Sequence, residues 1–120
     1  MKTILIAGNR PEIGKLFELL LWQPNLKFVS AKKFSQCLDL SLRTNPNLII
    51  VEGNPDHLTE AHQTIVSLKG SSQTSDIPVF ITRHENTAKE LLEGMKPLIE
   101  GVIPEPFNPK EIKNLAEKYI

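Results

Sequence analysis

Residues 46–54 read Pro46-Asn47-Leu48-Ile49-Ile50-Val51-Glu52-Gly53-Asn54. The four apolar residues at its centre have no polar residue between them. A half-exposed strand would alternate, so this run predicts a strand covered on both faces, as in the middle of a parallel sheet. Ile4-Leu5-Ile6-Ala7 has the same character. Working outward, residues 3–7, 27–30, 48–51, 79–82 and 101–103 are five brief apolar or β-branched runs. Between and after them lie stripes with apolar residues three and four apart: Ile13, Leu16, Phe17 and Leu20; Phe34, Cys37 and Leu38; Leu58, Ala61, Ile65 and Leu68; Ala88, Leu91, Leu92 and Met95; Ile112, Leu115, Ala116 and Tyr119. Each covers one helical face and predicts a helix packed on the sheet.

Prolines punctuate the same scheme. Pro11, Pro55 and Pro109 stand near expected helix starts, where a missing N–H costs little. Pro46 and Pro78 precede strands, and Pro24 and Pro97 fall in connections. The order is βα five times over, with short connections and no repeat strong enough for a solenoid. Right-handed crossovers then predict an α/β three-layer (βα)5 sandwich of the flavodoxin-like type, with a five-stranded parallel sheet in the order 2-1-3-4-5.

At 120 residues, a single domain spanning 1–120 is expected. Lys plus Arg number 14 against 14 Asp plus Glu, so no excess positive charge points to nucleic acid or a membrane surface. The lone cysteine, Cys37, excludes an internal disulfide and a multi-cysteine zinc site, and fits a reducing cytoplasm. The apolar run at the start is too short for a signal peptide or a membrane span.

In such folds, ligands meet the C-terminal ends of the strands. The tips here are Gly8-Asn9-Arg10, Glu52-Gly53-Asn54, Thr82-Arg83-His84 and Glu105-Pro106. At these positions the chain resembles the receiver domains of two-component response regulators. Residues 46–54 look like the family's third strand, which normally runs Pro-Asp, four apolar residues, then Asp. Ile77-Pro78-Val79-Phe80-Ile81-Thr82 is similar to its fourth strand. Gly101-Val102-Ile103-Pro104-Glu105-Pro106-Phe107, followed by Asn108-Pro109-Lys110-Glu111-Ile112, resembles the fifth strand, the Lys-Pro-Phe turn and the last helix.

The resemblance implies two Asp after strand one and a phosphoacceptor Asp after strand three, together holding Mg²⁺. It also implies a Thr or Ser after strand four and a Lys before a cis-proline, both binding phosphoryl oxygens. Carried onto this chain, the acidic pair falls on Gly8 and Asn9, the phosphoacceptor on Glu52, and the lysine on Glu105 before Pro106. The hydroxyl falls on Thr82 or Arg83, depending on how the fourth strand is aligned. Asn54 stands where the family offers a backbone carbonyl to the metal. Mg²⁺ requires hard oxygens in near-octahedral geometry, and phosphotransfer rests on positioning and charge stabilisation. With the acidic pair and the lysine both missing, the expectation is a degenerate receiver that takes no phosphate, has lost Mg²⁺ and needs no other cofactor. Glu52 either imitates a permanent negative charge or is ion-paired with Arg83 or Arg10, the second being the simpler reading. The family's switch aromatic on strand five is Val102 here, which favours a constitutive surface over a two-state switch.

Other motifs yield less. Gly8 to Leu16 spaces its glycines by five residues and has Leu after Lys15, so it misses the phosphate-binding loop pattern. His57 and His62 are five apart, about 140° around a helix, which does not suit a shared metal. His84 is read as a solvated loop residue, Cys37 as core, and Trp22 as either a core cap or a contact. Lys32-Lys33 and Lys110, Lys113 and Lys118 are read as solvated helix faces.

The reading is therefore a cytoplasmic, bacterial, non-enzymatic receiver-like domain that works by protein interaction. By resemblance the partner is a signalling kinase, regulator or output domain, or a second copy, with no nucleic acid and no membrane. It would meet the face carrying Lys89, Glu93, Lys96, Val102, Lys113 and Glu117. A phosphoacceptor with an atypical site and a small nucleotide-binding domain are the alternatives. The end at Ile120 leaves open a stand-alone adaptor or a receiver cut from a longer regulator.

Overall fold

Each apolar run of the sequence is a strand in the computed structural model, which describes residues 1–85, 87 and 89–120, with Leu91 by its backbone only. The elements are β1 (Lys2–Ala7), α1 (Pro11–Leu21), β2 (Leu26–Ala31), α2 (Cys37–Thr44), β3 (Leu48–Val51), α3 (Leu58–Gly70), β4 (Val79–Arg83), α4 (Lys89–Glu93), β5 (Gly101–Pro104) and α5 (Pro109–Glu117). Short 3₁₀ turns lead into α2 and α3 and precede β5. All strand pairs are parallel, in the order β2-β1-β3-β4-β5, so the expected topology holds.

Strand periodicity divides the core in two. Leu5, Ala7, Ile49, Val51, Val79 and Ile81 point to the face covered by Cys37 of α2, by Leu58, Ala61, Ile65 and Leu68 of α3, and by Leu92 of α4. Ile4, Ile6, Leu48, Ile50, Phe80 and Ile103 point the other way, against Ile13, Phe17 and Leu21 of α1 and Ile112 and Ala116 of α5. Every residue of β3 is buried, as its unbroken apolar run requires.

Asparagines set several boundaries. Asn45 ends α2 in the left-handed region at φ 48°, a conformation that Asn tolerates better than most residues. Asn108 caps α5 by accepting the N–H groups of Lys110 at 3.0 Å and Glu111 at 3.4 Å, with Pro109 in the first helical position.

The helical readings need correction at several points. Leu16 is exposed and Leu21 is buried in its place, because α1 turns its 13-17-21 row inward. Phe34 is core but sits in the 3₁₀ turn before α2. Helix α4 is short, with Met95 buried just beyond it; Ala88 and the side chain of Leu91 lie outside the described residues. Lys32 and Lys33 are exposed in the loop after β2 rather than on a helix. Trp22 is 68% exposed, so it does not cap the core.

Cys37 is fully buried, and burial pushes its thiol up from 9.0 to about 11, only partly offset by Ser41. A thiol that ionises later in the folded state than in the unfolded state supports folding below pH 9.0, and that support disappears as pH rises through about 11. Between those limits, stability measured in urea should fall more steeply for the wild type than for Cys37→Ala. The expected difference is about 2 to 3 kcal/mol. Parallel pH profiles would contradict it.

Candidate functional site

The register aligns Ala7 with Val51, Val51 with Ile81, and Thr82 with Ile103, so the strand ends share one edge of the sheet. Backbone bonds continue past them. Gly8 N–H donates to Ala31 O at 3.1 Å, Glu52 N–H to Ala7 O at 2.8 Å, and Glu105 N–H to Arg83 O at 2.9 Å. The tips therefore inherit the rigidity of the sheet.

Glu52 is 1% exposed, the most deeply buried charged residue described. A carboxylate removed from water needs partners, and Arg10 supplies them twice. The Arg10 Nε–H donates to Glu52 Oε1, and the Arg10 backbone N–H donates to Glu52 Oε2 at 3.1 Å. The same guanidinium reaches Glu105 Oε2 through Nη2 at 3.1 Å. One cation thus ties the tips of β1, β3 and β5 together, using the planar fork that suits Arg to carboxylates. The local sequence prepares this geometry. Pro11 disfavours helical backbone at the preceding residue, and Arg10 is accordingly extended at φ −109°, ψ 99°. Burial alone would lower the Arg10 pKa, but its bonds to Glu52 and Glu105 outweigh that and hold it above its ordinary value.

Gly8 makes room for this arrangement. A Cβ there would stand 2.7 Å from Glu52 Cβ and 3.1 Å from Cδ, and would collide with Oε2. An acidic side chain at position 8 and the observed Glu52 cannot coexist without movement. Gly53 is equally constrained, since its Cβ would press on Ile81 Cγ1 at 3.1 Å and run into the Thr82 carbonyl. Its N–H donates to Thr82 Oγ1 at 3.0 Å, and its carbonyl accepts from Thr87 Oγ1 at 3.2 Å.

The site residues read from the sequence separate accordingly. Glu52 and Glu105 meet through Arg10. Thr82 is fully buried with its hydroxyl accepting the Gly53 N–H, while Arg83 has a buried Nε with no hydrogen-bond partner among the described residues. Asn9 is exposed, and the Asn54 side chain caps the next turn by accepting the Asp56 N–H at 3.0 Å. The Glu105-Pro106 bond is cis. Lys89, Glu93, Lys96, Lys113 and Glu117 are exposed, and Val102 is half-buried against the core. Lys96 pairs with Glu93 at 2.9 Å. His84 is half-buried rather than solvated, and His57 bonds Glu60 at 3.0 Å through Nδ1.

Two contributions escaped the sequence reading. Arg10 entered it only as one possible partner for Glu52, although two acids that gather at the strand ends without the family's lysine require a cation. Thr87 carried no signal, because its role depends on how the loop after β4 folds back.

A Mg²⁺ site of the receiver kind does not fit these residues. Gly8 has no donor, Asn9 is a neutral amide, and both oxygens of Glu52 already accept from Arg10. Among the described residues no three His, Cys, Asp or Glu side chains are grouped to hold a metal.

No protein-family model matches the chain. It is 27% identical over 110 residues to the response regulator GtcR of Aneurinibacillus migulanus, covering 92% of this chain and 44% of that protein. The chain therefore spans under half the length of that curated relative. Solved structures match throughout. A response regulator from Desulfuromonas acetoxidans aligns at TM-score 0.81 and 21% identity, over 98% of this chain and 95% of its own. The Vibrio cholerae chemotaxis protein CheY4 aligns at 0.83 and 17%, over 100% and 99%. The receiver domain of Francisella response regulator 1452 aligns at 0.79 and 17%, over 99% and 96%. The fold is that of CheY-like receivers, and in sequence the chain is similar to a response regulator.

Two sets of variants test the geometry. Gly8→Ala should cost about 1 to 3 kcal/mol by overpacking, and Glu52→Gly in the same chain, which removes every atom the new Cβ would strike, should relieve it, giving a coupling of about 1 kcal/mol or more in a urea double-mutant cycle. Additive effects would show that Gly8 does not make room for Glu52. Arg10→Met should cost about 3 kcal/mol by leaving a buried carboxylate unpaired, whereas Arg10→Met with Glu52→Met should recover most of the loss.

Proposed function

We propose that this chain is a receiver domain of bacterial two-component signalling that acts by binding a protein, without being phosphorylated. The observation that carries the reading is the engagement of both Glu52 oxygens by Arg10, beside a glycine where the resemblance would place the first metal-binding Asp. Phosphoryl transfer to a carboxylate needs a free oxygen in line with the phosphorus, a metal across the leaving charge, and a cation on the phosphoryl group. Here the oxygens are occupied and the metal donors are replaced. The nearby cation is committed to two acids. On this reading the domain is not an enzyme and uses no cofactor.

The partner is a signalling kinase, a regulator, an output domain or a second copy of the chain. It meets the face of α4, β5 and α5 through Lys89, Glu93, Lys96, Lys113 and Glu117, with Val102 behind them. The alternating charges of that face suit a polar, specific interface. No described helix is long and apolar enough to cross a membrane, and we place the domain in the cytoplasm on the strength of the signalling role.

Incubation with acetyl phosphate and Mg²⁺, followed by intact mass measurement, tests the proposal. The expected result is an unchanged mass. A stable gain of about 80 Da, one phosphoryl group, that disappears in Glu52→Ala would establish the atypical phosphoacceptor instead.

A further inference from the structure

Beside the acidic cluster lies a cleft of about 420 Å³ that the phosphorylation chemistry does not use. It runs between the first half of α1 and the ends of β1 and β2. Ile6 and Ile13 form its apolar wall, and Glu52 with Arg10 closes its inner end. Two small residues, Gly14 and Ser30, also line it. Gly14 stands inside α1, where glycine weakens a helix relative to alanine, and it faces Ser30 so closely that a Cβ would lie 3.3 Å from the hydroxyl. Larger side chains at these two positions would project into the cleft.

Lys15 from α1 and Lys32 from the loop after β2 also line the cleft. Neither forms an ion pair among the described residues, and Glu18 is the one lining acid not held by Arg10. Two lysines against one glutamate leave the opening with one net positive charge. The volume falls within the range of about 300 to 1,000 Å³ typical of small-molecule sites, and an apolar wall with a few convergent polar groups is their usual lining.

We propose that this cleft binds a small organic monoanion, its apolar body against Ile6 and Ile13 and its anionic group between Lys15 and Lys32. Because Arg10 and Glu52 form the inner wall, the ligand would touch the pair that ties the strand ends together. The proposal stands on the cleft itself and does not depend on whether the domain takes phosphate.

The test is titration of 1-naphthoate into ¹⁵N-labelled protein, with neutral 1-naphthylmethanol as the comparison. Saturable amide shifts at Gly8, Gly14, Ser30 and Lys32 are expected for the anion. Binding should weaken about tenfold for the neutral compound and for Lys15→Gln with Lys32→Gln, as expected on loss of the charge-assisted contacts. Gly14→Leu should abolish binding by filling the cleft; if that variant does not fold, the lysine variant decides. Absence of saturable shifts, equal binding of the neutral compound, or shifts centred on exposed Leu19 and Trp22 would overturn the proposal.

Discussion

The structure at the strand ends depends on one constraint, the burial of the Glu52 carboxylate at 1% exposure. A charge so placed must be paired, and the pairing dictates its surroundings. Arg10 is drawn over the sheet edge, held extended by Pro11, and bridged onward to Glu105. Gly8 must lack a side chain because Glu52 fills the space. Three loops that belong to distant parts of the chain are joined through a single guanidinium.

Relative to the receiver pattern that the sequence resembles, the charges have been redistributed. The resemblance implies acids from two strand ends around a metal, with a lysine opposite. Here an acid stands at the lysine position and an arginine stands beside the missing acids. The cation is covalently part of β1's own loop and cannot exchange with solvent. A tethered cation satisfies the buried acid without a metal.

Much of the fold was legible in the sequence because its signals are local. The unbroken apolar runs of β1 and β3 are too short for buried helices and read as strands covered on both faces, and prolines mark the helix starts. Within the helices, the reading erred where a stripe is wider than its buried row, as at Leu16 against Leu21. The site was legible by position: Glu52, Thr82 and Glu105 all lie at the expected edge. Its interactions were less so, because they are long-range. The Arg10 contacts span 42 and 95 residues, and no spacing rule predicts which of two arginines reaches a buried acid. Thr87 bonding the Gly53 carbonyl is of the same kind, set by tertiary folding of a loop.

The central claim is that Arg10 occupies the charge role that a metal has in receivers of the usual pattern. Titration of MgCl₂ into ¹⁵N-labelled protein at constant ionic strength tests it most directly. The account predicts no saturable shift of the Gly8, Asn9, Glu52, Gly53 or Glu105 amides at millimolar Mg²⁺. A saturable shift of those resonances, lost in Glu52→Gln, would contradict it.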